Sequence, residues 1–140
     1  ASESPPQSLQ TVGWVGRTNP AYCTSVGQAL LFDHSRAELD LLFDGVKFER
    51  LGPNTARNVR ELAARIDAAR ERGFAIADEE MEPGLVAAGA PVRDAHGRIV
   101  AAVNVSGPKF RLADRLPEMG REVASAAAGL SAAISGTGPA

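Results

Sequence analysis

Two apolar runs on either side of a short polar break constrain this sequence more than any other feature. The break is Asp94–Gly97, where Asp94 can hydrogen-bond its own backbone and Gly97 can adopt a positive φ. Apolar runs joined by such a break are typical of a β-hairpin. We therefore predict that Leu85–Arg93 pairs with Arg98–Ser106.

The second arm of this hairpin carries two polar side chains among apolar ones. Because side chains alternate between the faces of a strand, Asn104 and Ser106 share one face, and Val103 and Val105 share the other. Neither face carries a charge, so we expect both faces to be covered. A covered polar group needs a hydrogen-bond partner, which is the protein itself, water or a bound small molecule.

Composition narrows the class of protein. A chain of 140 residues has the size of one domain, and its net charge of −2 argues against nucleic-acid binding by these residues alone. No apolar run has the roughly 18 residues of a membrane span, and the opening residues lack the pattern of a signal peptide. The single cysteine fits a reducing compartment and a cytoplasmic location. With two distant histidines it provides too few ligands for a zinc site, and the sequence predicts neither a metal nor an organic cofactor.

Short helical signals precede the hairpin. Thr24 is placed to cap a short helix over Ser25–Phe32. Gly27 inside that helix indicates close approach by another backbone or a ligand. Ser35 begins a capping box for a helix that ends near Phe43.

Apolar spacing predicts two longer helices and one further strand. Thr55 opens a helix that Gly73 ends, and the final helix covers Leu116–Ile134 after a loop at Lys109–Arg115. A short alternation predicts a strand within Ser8–Val15. Helices and strands mix without strict alternation, so the expected fold class is α+β with an antiparallel sheet.

Two groups of residues are weaker candidates for chemistry. Cys23 could be a nucleophile, but no activating base is evident, so we expect a buried structural cysteine. Asp78, Glu79 and Glu80 could form an acid–base or metal cluster, but neighbours on an extended segment point in opposite directions. We expect a solvated turn there, in which Glu80 can cap neighbouring backbone.

Three segments together resemble the effector-binding domain of IclR-type transcriptional regulators. The first is Asn19–Leu31, similar to the loop and helix of that family. The second is Arg72–Ala75, followed by Pro83–Gly84, and the third is Ala90–Val92 with Val105–Pro108. Jointly these segments are fairly specific, although each alone is weak.

The resemblance covers about Val12 to Ile134 and has two departures. Gln28 stands where the family usually has lysine, and the chain starts late. Members carry an N-terminal winged helix-turn-helix, which these residues do not resemble. We therefore expect residues 1–140 to be one ligand-sensing domain, incomplete at its N-terminus. DNA binding is implied only for the parent protein through that missing domain.

The resemblance also implies a fold and a site. The fold is a GAF/profilin-like curved antiparallel sheet flanked by helices, with a small organic effector between the sheet and a loop. Implied ligand contacts come from Asn19, Ser25, Val26, Asp78 (or its neighbour Ala77), Ala87, Asn104 and Ser106. Thr24 joins them from its place at a helix start, where free N–H groups favour an anion. The plainer alternatives are that Thr24 is only a helix cap and that Ser106 bonds to backbone at a strand end.

The leading hypothesis is a sensor of a small organic acid or aromatic metabolite within a bacterial repressor. Apolar stripes on the early segment and the last helix would supply a homodimer or homotetramer surface. One alternative is a GAF-like sensor with an output other than DNA binding. The other is a small cofactor-independent enzyme, which the sequence disfavours because it lacks a convincing nucleophile–base pair.

Overall fold

The computed structural model describes residues 21–136, which form a three-stranded sheet between helices. The strands are β1 (Ala75–Asp78), β2 (Leu85–Arg93) and β3 (Ile99–Pro108). The helices are α1 (Ser25–Leu30), α2 (Arg36–Leu42), α3 (Val59–Arg72), α4 (Lys109–Leu112) and α5 (Leu116–Ser135), with 3-10 turns at Ala21–Cys23 and Ala113–Arg115. The expected α+β class with an antiparallel sheet is confirmed.

The sheet is antiparallel throughout, with β2 in the centre. The predicted hairpin is confirmed, and the side chain of Asp94 closes its turn by accepting from the backbone N–H groups of His96 and Arg98 at 2.8 and 3.0 Å. A register shift falls between Val92 and Arg93. The hydrogen bonding of Asp94 to nearby backbone, which the sequence predicts, therefore stabilises the turn of the hairpin.

One face of the sheet packs against α5. Val86 and Ala88 of β2 contact Leu116, and further along the strand Ala90 and Val92 contact Ala127. The ring of Phe74 lies in the same layer, against Gly120, where a β-carbon would overlap the ring. Burial of these apolar side chains is the main source of stability on this side.

The other face of the sheet lies against α1, and α2 and α3 build a second core beyond it. That core contains Tyr22, Leu39, Phe43, Leu62 and Ile66, all buried. Within residues 21–136 the sheet is thus a layer between α5 and the shorter helix α1, and α1 covers only part of its side of the sheet.

Several predicted boundaries and one burial prediction are wrong. The long helix begins at Val59 instead of Thr55, because the side chain of Asn58 accepts from the Glu61 N–H and caps the helix there. Residues 109–115 form helical turns instead of a loop.

Both faces of β3 were expected to be covered, but Asn104 and Ser106 are exposed. The reason is that α1 lies mainly over β2 and leaves much of the same face of β3 open.

Some predictions fall on residues outside the described range. The strand expected within Ser8–Val15 and the ligand contact expected from Asn19 lie there. No helix of residues 21–136 is long and apolar enough to cross a membrane.

Candidate functional site

Gly89 marks the point where α1 comes closest to the sheet. A β-carbon at Gly89 would lie 2.9 Å from the carbonyl oxygen of Ser25 and 3.2 Å from its Cβ. Both distances are shorter than ordinary carbon contacts, so only glycine lets the start of α1 approach this closely. The contact also shows which face of β2 looks toward α1.

The strand register extends that face to the neighbouring strands. Gly89 is paired with Asn104, and Ala87 is paired with Ser106 on β3 and with Ala77 on β1. Residues opposite each other in an antiparallel pair share a face. We call these five residues the α1 face. It brings together Ala87, Asn104 and Ser106 from the sequence-predicted site on the side of the sheet where Gly89 meets Ser25.

The hydroxyl of Ser25 is buried and has no hydrogen-bond partner among residues 21–136. Ser25 is 2% exposed, and its Oγ makes no hydrogen bond with any residue in the described part of the chain. Buried hydroxyls are almost always bonded to protein or water, so an unpartnered one calls for an explanation.

Asn104 and Ser106 provide further polar groups on the same side. Both are exposed, and neither side chain hydrogen-bonds within residues 21–136. Asn104 can donate and accept, and so can Ser106. Next to them Ala87 presents only a methyl group, and it is buried. The α1 face therefore combines a small apolar floor with neutral donors and acceptors.

The start of α1 is fixed by a cap and by a tight backbone contact. The Oγ1 of Thr24 accepts from the Gly27 N–H at 2.9 Å, as the sequence predicts for a helix cap. A β-carbon at Gly27 would lie 2.5 Å from the backbone of Ala21, so the predicted close approach is confirmed and its partner is backbone. Val26 follows on α1 and is 5% exposed. Thr24 is thus occupied as a cap, while Val26 is part of the packed base of the helix.

Asp78 is the predicted site residue that the fold places elsewhere. It is paired with Val86, whose side chain points to α5, so Asp78 projects from the opposite face to Ala87. Its carboxylate lies 3.0 Å from Nζ of Lys109. Its neighbour Ala77, the alternative at this position, belongs to the α1 face.

A second cluster of polar residues lies behind α1, around Glu80. The Glu80 side chain is buried, and Gln28 Nε2 of α1 donates to its Oε1 at 2.8 Å. Arg65 of α3 lies 3.1 Å from the same oxygen, and the Thr55 hydroxyl donates to the Glu80 carbonyl at 2.6 Å. The expected solvated turn is therefore wrong for Glu80, because Gln28 and Arg65 draw its carboxyl group inward.

Burial sets the ionisation of this cluster. The pKa of Glu80 rises to about 7, because the loss of water around the carboxylate outweighs the attraction of Arg65 and the hydrogen bond from Gln28. Burial, with the nearby Glu80 carboxylate, also raises the pKa of the Cys23 thiol to about 12. Cys23 is fully buried and stays protonated at neutral pH, so it is the structural cysteine that the sequence predicted.

Glu79 and Lys109 close the turn between β1 and β2. Lys109 Nζ is 2.7 Å from Glu79 Oε2, and this hydrogen bond lowers the pKa of the Glu79 carboxyl group. The Gly84 N–H donates to the other carboxylate oxygen of Glu79 at 3.0 Å. No cluster of three or more His, Cys, Asp or Glu side chains within residues 21–136 is arranged to hold a metal ion.

A cavity in the described part of the chain lies away from the predicted site. It measures about 530 Å³ and lies at the far end of β2, between Phe32, Pro91 and Ala128. Its polar rim is already paired, since Arg93 binds Asp33 at 2.6 Å. None of the predicted ligand residues lines it.

Sequence reasoning missed two features of the site. One is Gly89, although an isolated glycine inside a strand is a known sign of close backbone approach. The other is the contact between Glu80 and Gln28, which are 52 positions apart. The only hint of the second was that Gln28 replaces the lysine usual in the family resembled.

Comparisons with known proteins place this geometry among bacterial regulators. The profile described as the bacterial transcriptional regulator IclR C-terminal domain matches residues 2–132. The HTH-type transcriptional regulator KdgR of Escherichia coli K12 is 32% identical over 126 residues, covering 89% of this chain and 48% of that protein. The chain therefore spans about half the length of this relative. The homologues are transcriptional regulators, not enzymes.

Solved structures agree in fold. The C-terminal domain of E. coli KdgR superposes with a TM-score of 0.76 at 33% identity, covering 84% of this chain and 73% of that one. A double mutant of the PobR inducer-binding domain from Acinetobacter, in complex with 3-hydroxybenzoic acid, superposes with a TM-score of 0.65 at 28% identity, covering 76% and 64%. The GAF-like curved sheet with flanking helices is the shared architecture.

Proposed function

Because the chain belongs to the IclR family of bacterial transcriptional regulators and corresponds to its C-terminal effector-binding domain, we propose that it binds a small organic acid or aromatic metabolite between α1 and the α1 face. The observation that carries this placement is the Ser25 hydroxyl, which is 2% exposed and has no partner within the described residues. Leaving a buried polar group unbonded costs about 1–3 kcal/mol, so a ligand that bonds to it is stabilised accordingly.

Each residue of the proposed site has a role that follows from its position. The Ser25 hydroxyl bonds to one polar group of the effector from above, and Asn104 with Ser106 bonds to another from the sheet. Ala87 and Val26 provide apolar contact. A few neutral donors in an apolar setting suit a small carboxylate with an aromatic or aliphatic body. The related PobR domain in complex with 3-hydroxybenzoic acid supports that class of ligand.

The whole protein would act through parts beyond this domain. We propose that it is a cytoplasmic repressor whose DNA binding resides in an N-terminal winged helix-turn-helix, as in the HTH-type relatives. The effector can shift that activity only by binding one conformation more tightly than another.

Self-association would involve the outer side of α5. The segment from Val123 to Gly136 contains no charged residue, yet Leu130 is 45% exposed and Ile134 is 55% exposed. An uncharged helix face can pack against its own copy about a twofold axis without bringing like charges together. We expect a homodimer or homotetramer in sedimentation experiments. Ile134→Glu should shift the sedimentation equilibrium toward the monomer. Val100→Glu, a matched change on β3, should leave that equilibrium unchanged.

A thermal-shift panel tests the proposed site. The domain is mixed with small carboxylic and aromatic acids, 3-hydroxybenzoate among them, and the melting temperature is followed with each acid. An acid that binds only the folded state raises the melting temperature in a concentration-dependent manner. Recovery of the acid unchanged would agree with a sensor, while its turnover, abolished by Cys23→Ala, would establish an enzyme instead.

Matched variants locate the binding. Asn104→Leu should reduce affinity for the acid at least about tenfold, measured by calorimetry, because it removes a donor and acceptor from the α1 face. Val100→Leu, on β3 four positions from Asn104, should leave affinity unchanged. Equal affinity in both variants would remove Asn104 from the site.

A further inference from the structure

Glu80 connects three parts of the fold through polar contacts. Its Oε1 accepts from Gln28 on α1 and pairs with Arg65 on α3, while its own backbone belongs to the turn after β1. The Glu80 residue is 5% exposed, and the Arg65 side chain is 33% exposed. Arg65 Nη1 also donates to the Asn54 carbonyl at 2.6 Å, which fixes the cation in place. We call Gln28, Glu80 and Arg65 the Glu80 joint.

We propose that the Glu80 joint is a proton-dependent control on the position of α1, so that the charge on Glu80 regulates effector affinity at the site above. This inference rests on the proposed function only for its last step, since the movement of α1 can be measured without any effector. Gln28 lies about one helical turn from Ser25, so a displacement at Gln28 carries Ser25 away from Gly89.

The direction of the control follows from the surroundings of Glu80. Charged or ionisable groups near it are Cys23 from the 3-10 turn, Arg65 and Arg72 from α3, Asp78 at the end of β1 and Glu79 from the turn that holds Glu80. Cys23 is protonated, Asp78 and Glu79 pair with Lys109, and Gln28 is neutral. The buried carboxylate therefore depends mainly on Arg65.

A proton on Glu80 favours the closed arrangement, in which the carboxyl group is buried. Loss of that proton favours an arrangement in which α1 has moved and water reaches the carboxylate, because water stabilises the charge better than the buried setting does. The pKa values support the same sign, since the pKa of Glu80 is about 7 in the closed form, against 4.5 for the free side chain. Opening of α1 should thus increase as the pH rises through 7.

Hydrogen exchange of the α1 amides measures this opening directly. Deuterium uptake in peptides that cover Ser25–Leu31 is followed by mass spectrometry at pH 6 and pH 8, and each rate is divided by the intrinsic rate at that pH. The two pKa values of Glu80 predict that the corrected rate rises about tenfold between these pH values. Glu80→Gln should hold the change below about twofold, because the variant has no proton to lose.

Glu82→Gln is the matched control, since Glu82 lies two positions away and is exposed. It should follow the wild type. If Glu80→Gln does not fold, Arg65→Gln provides the second test, because loss of the cation should move the pH midpoint upward. The proposal that Glu80 controls the position of α1 would be refuted by a corrected rate that is independent of pH in the wild type, or by one that rises equally in Glu80→Gln.

Binding experiments separate this inference from the proposed function. An acid found in the thermal-shift panel should bind the wild type more weakly at pH 8 than at pH 6, and Glu80→Gln should remove the difference. If no acid binds, the proposed function fails, while the exchange experiment still tests whether the charge on Glu80 controls the opening of α1. If acids bind, but the change in affinity between pH 6 and pH 8 is the same in the wild type and in Glu80→Gln, the proposed binding site is supported and regulation by Glu80 is refuted.

Discussion

The Cα of Gly89 lies against the carbonyl group of Ser25, so that the central strand and the first helix meet backbone to backbone. A β-carbon at position 89 would be 2.9 Å from that oxygen. Gly89→Ala should therefore push α1 outward and lower the free energy of unfolding by about 1–3 kcal/mol in urea titrations. Gly129→Ala is the control, because nothing lies within 4 Å of its β-carbon, and it should stabilise α5 by about 0.5–1 kcal/mol.

Removal of the unpartnered hydroxyl should stabilise the free domain. Ser25→Ala deletes a buried polar atom that has no partner within the described residues, so we expect the free energy of unfolding to stay equal or rise by up to about 2 kcal/mol. The same variant should bind the effector more weakly. Ser125→Ala on the exposed side of α5 should change neither quantity. A clear loss of stability in Ser25→Ala would show that the hydroxyl has a structural partner.

The stability of the domain should fall as pH rises through the range of Glu80. Its pKa is raised from 4.5 to about 7, so between these values the folded chain holds a proton that the unfolded chain has lost. The contribution is fully present below pH 4.5 and is lost as pH approaches and passes 7, with an upper limit of about 3 kcal/mol.

Glu80→Gln should remove this dependence, measured as urea midpoints from pH 5 to pH 8.5. The variant should equal or exceed the wild type in stability at pH 8, since a neutral amide replaces a buried charge while Arg65 can turn to solvent. Parallel pH profiles for the two proteins would contradict the raised pKa.

The cap of α3 should have a measurable contribution of its own. Asn58 Oδ1 accepts from the Glu61 N–H at 3.0 Å, and Asn58→Ala should reduce the free energy of unfolding by about 1 kcal/mol. Asn58→Asp should restore most of it, because a carboxylate also accepts at a helix start. A silent alanine variant would mean that water replaces the cap without cost.

The parts of the fold that the sequence predicted are those set by local chemistry. Asp94 closes the hairpin with hydrogen bonds to residues two and four positions away, and Thr24 caps α1 through a residue three positions away. Such contacts depend on neighbours in the chain, which a single sequence displays. The end of α3 at Gly73, with a φ of 95°, is local in the same sense.

The parts that could not be predicted depend on residues far apart in the chain. β1 has four residues, two of them alanine, and no alternation to reveal it; only pairing with β2 defines it. Burial of Glu80 comes from Gln28 and Arg65, which the sequence does not place beside it. The exposed side of β3 likewise depends on how far α1 extends over the sheet.

The candidate site divides in the same way. The family resemblance supplied Ser25, Asn104 and Ser106, and the register places Asn104 and Ser106 on the face of the sheet where Gly89 meets Ser25. The resemblance does not distinguish Asp78 from Ala77, because a shift of one residue moves a side chain to the other face and only the strand pairing fixes which of the two faces α1.

The contact between Gly120 and Phe74 makes the residue types at these two positions depend on each other. A larger residue at 120 would collide with the aromatic ring, and a smaller residue at 74 would leave a cavity beside Gly120. A substitution at one of the two positions is therefore expected to be tolerated when the other position changes with it. Among related domains, bulk gained at one of these positions should be matched by bulk lost at the other.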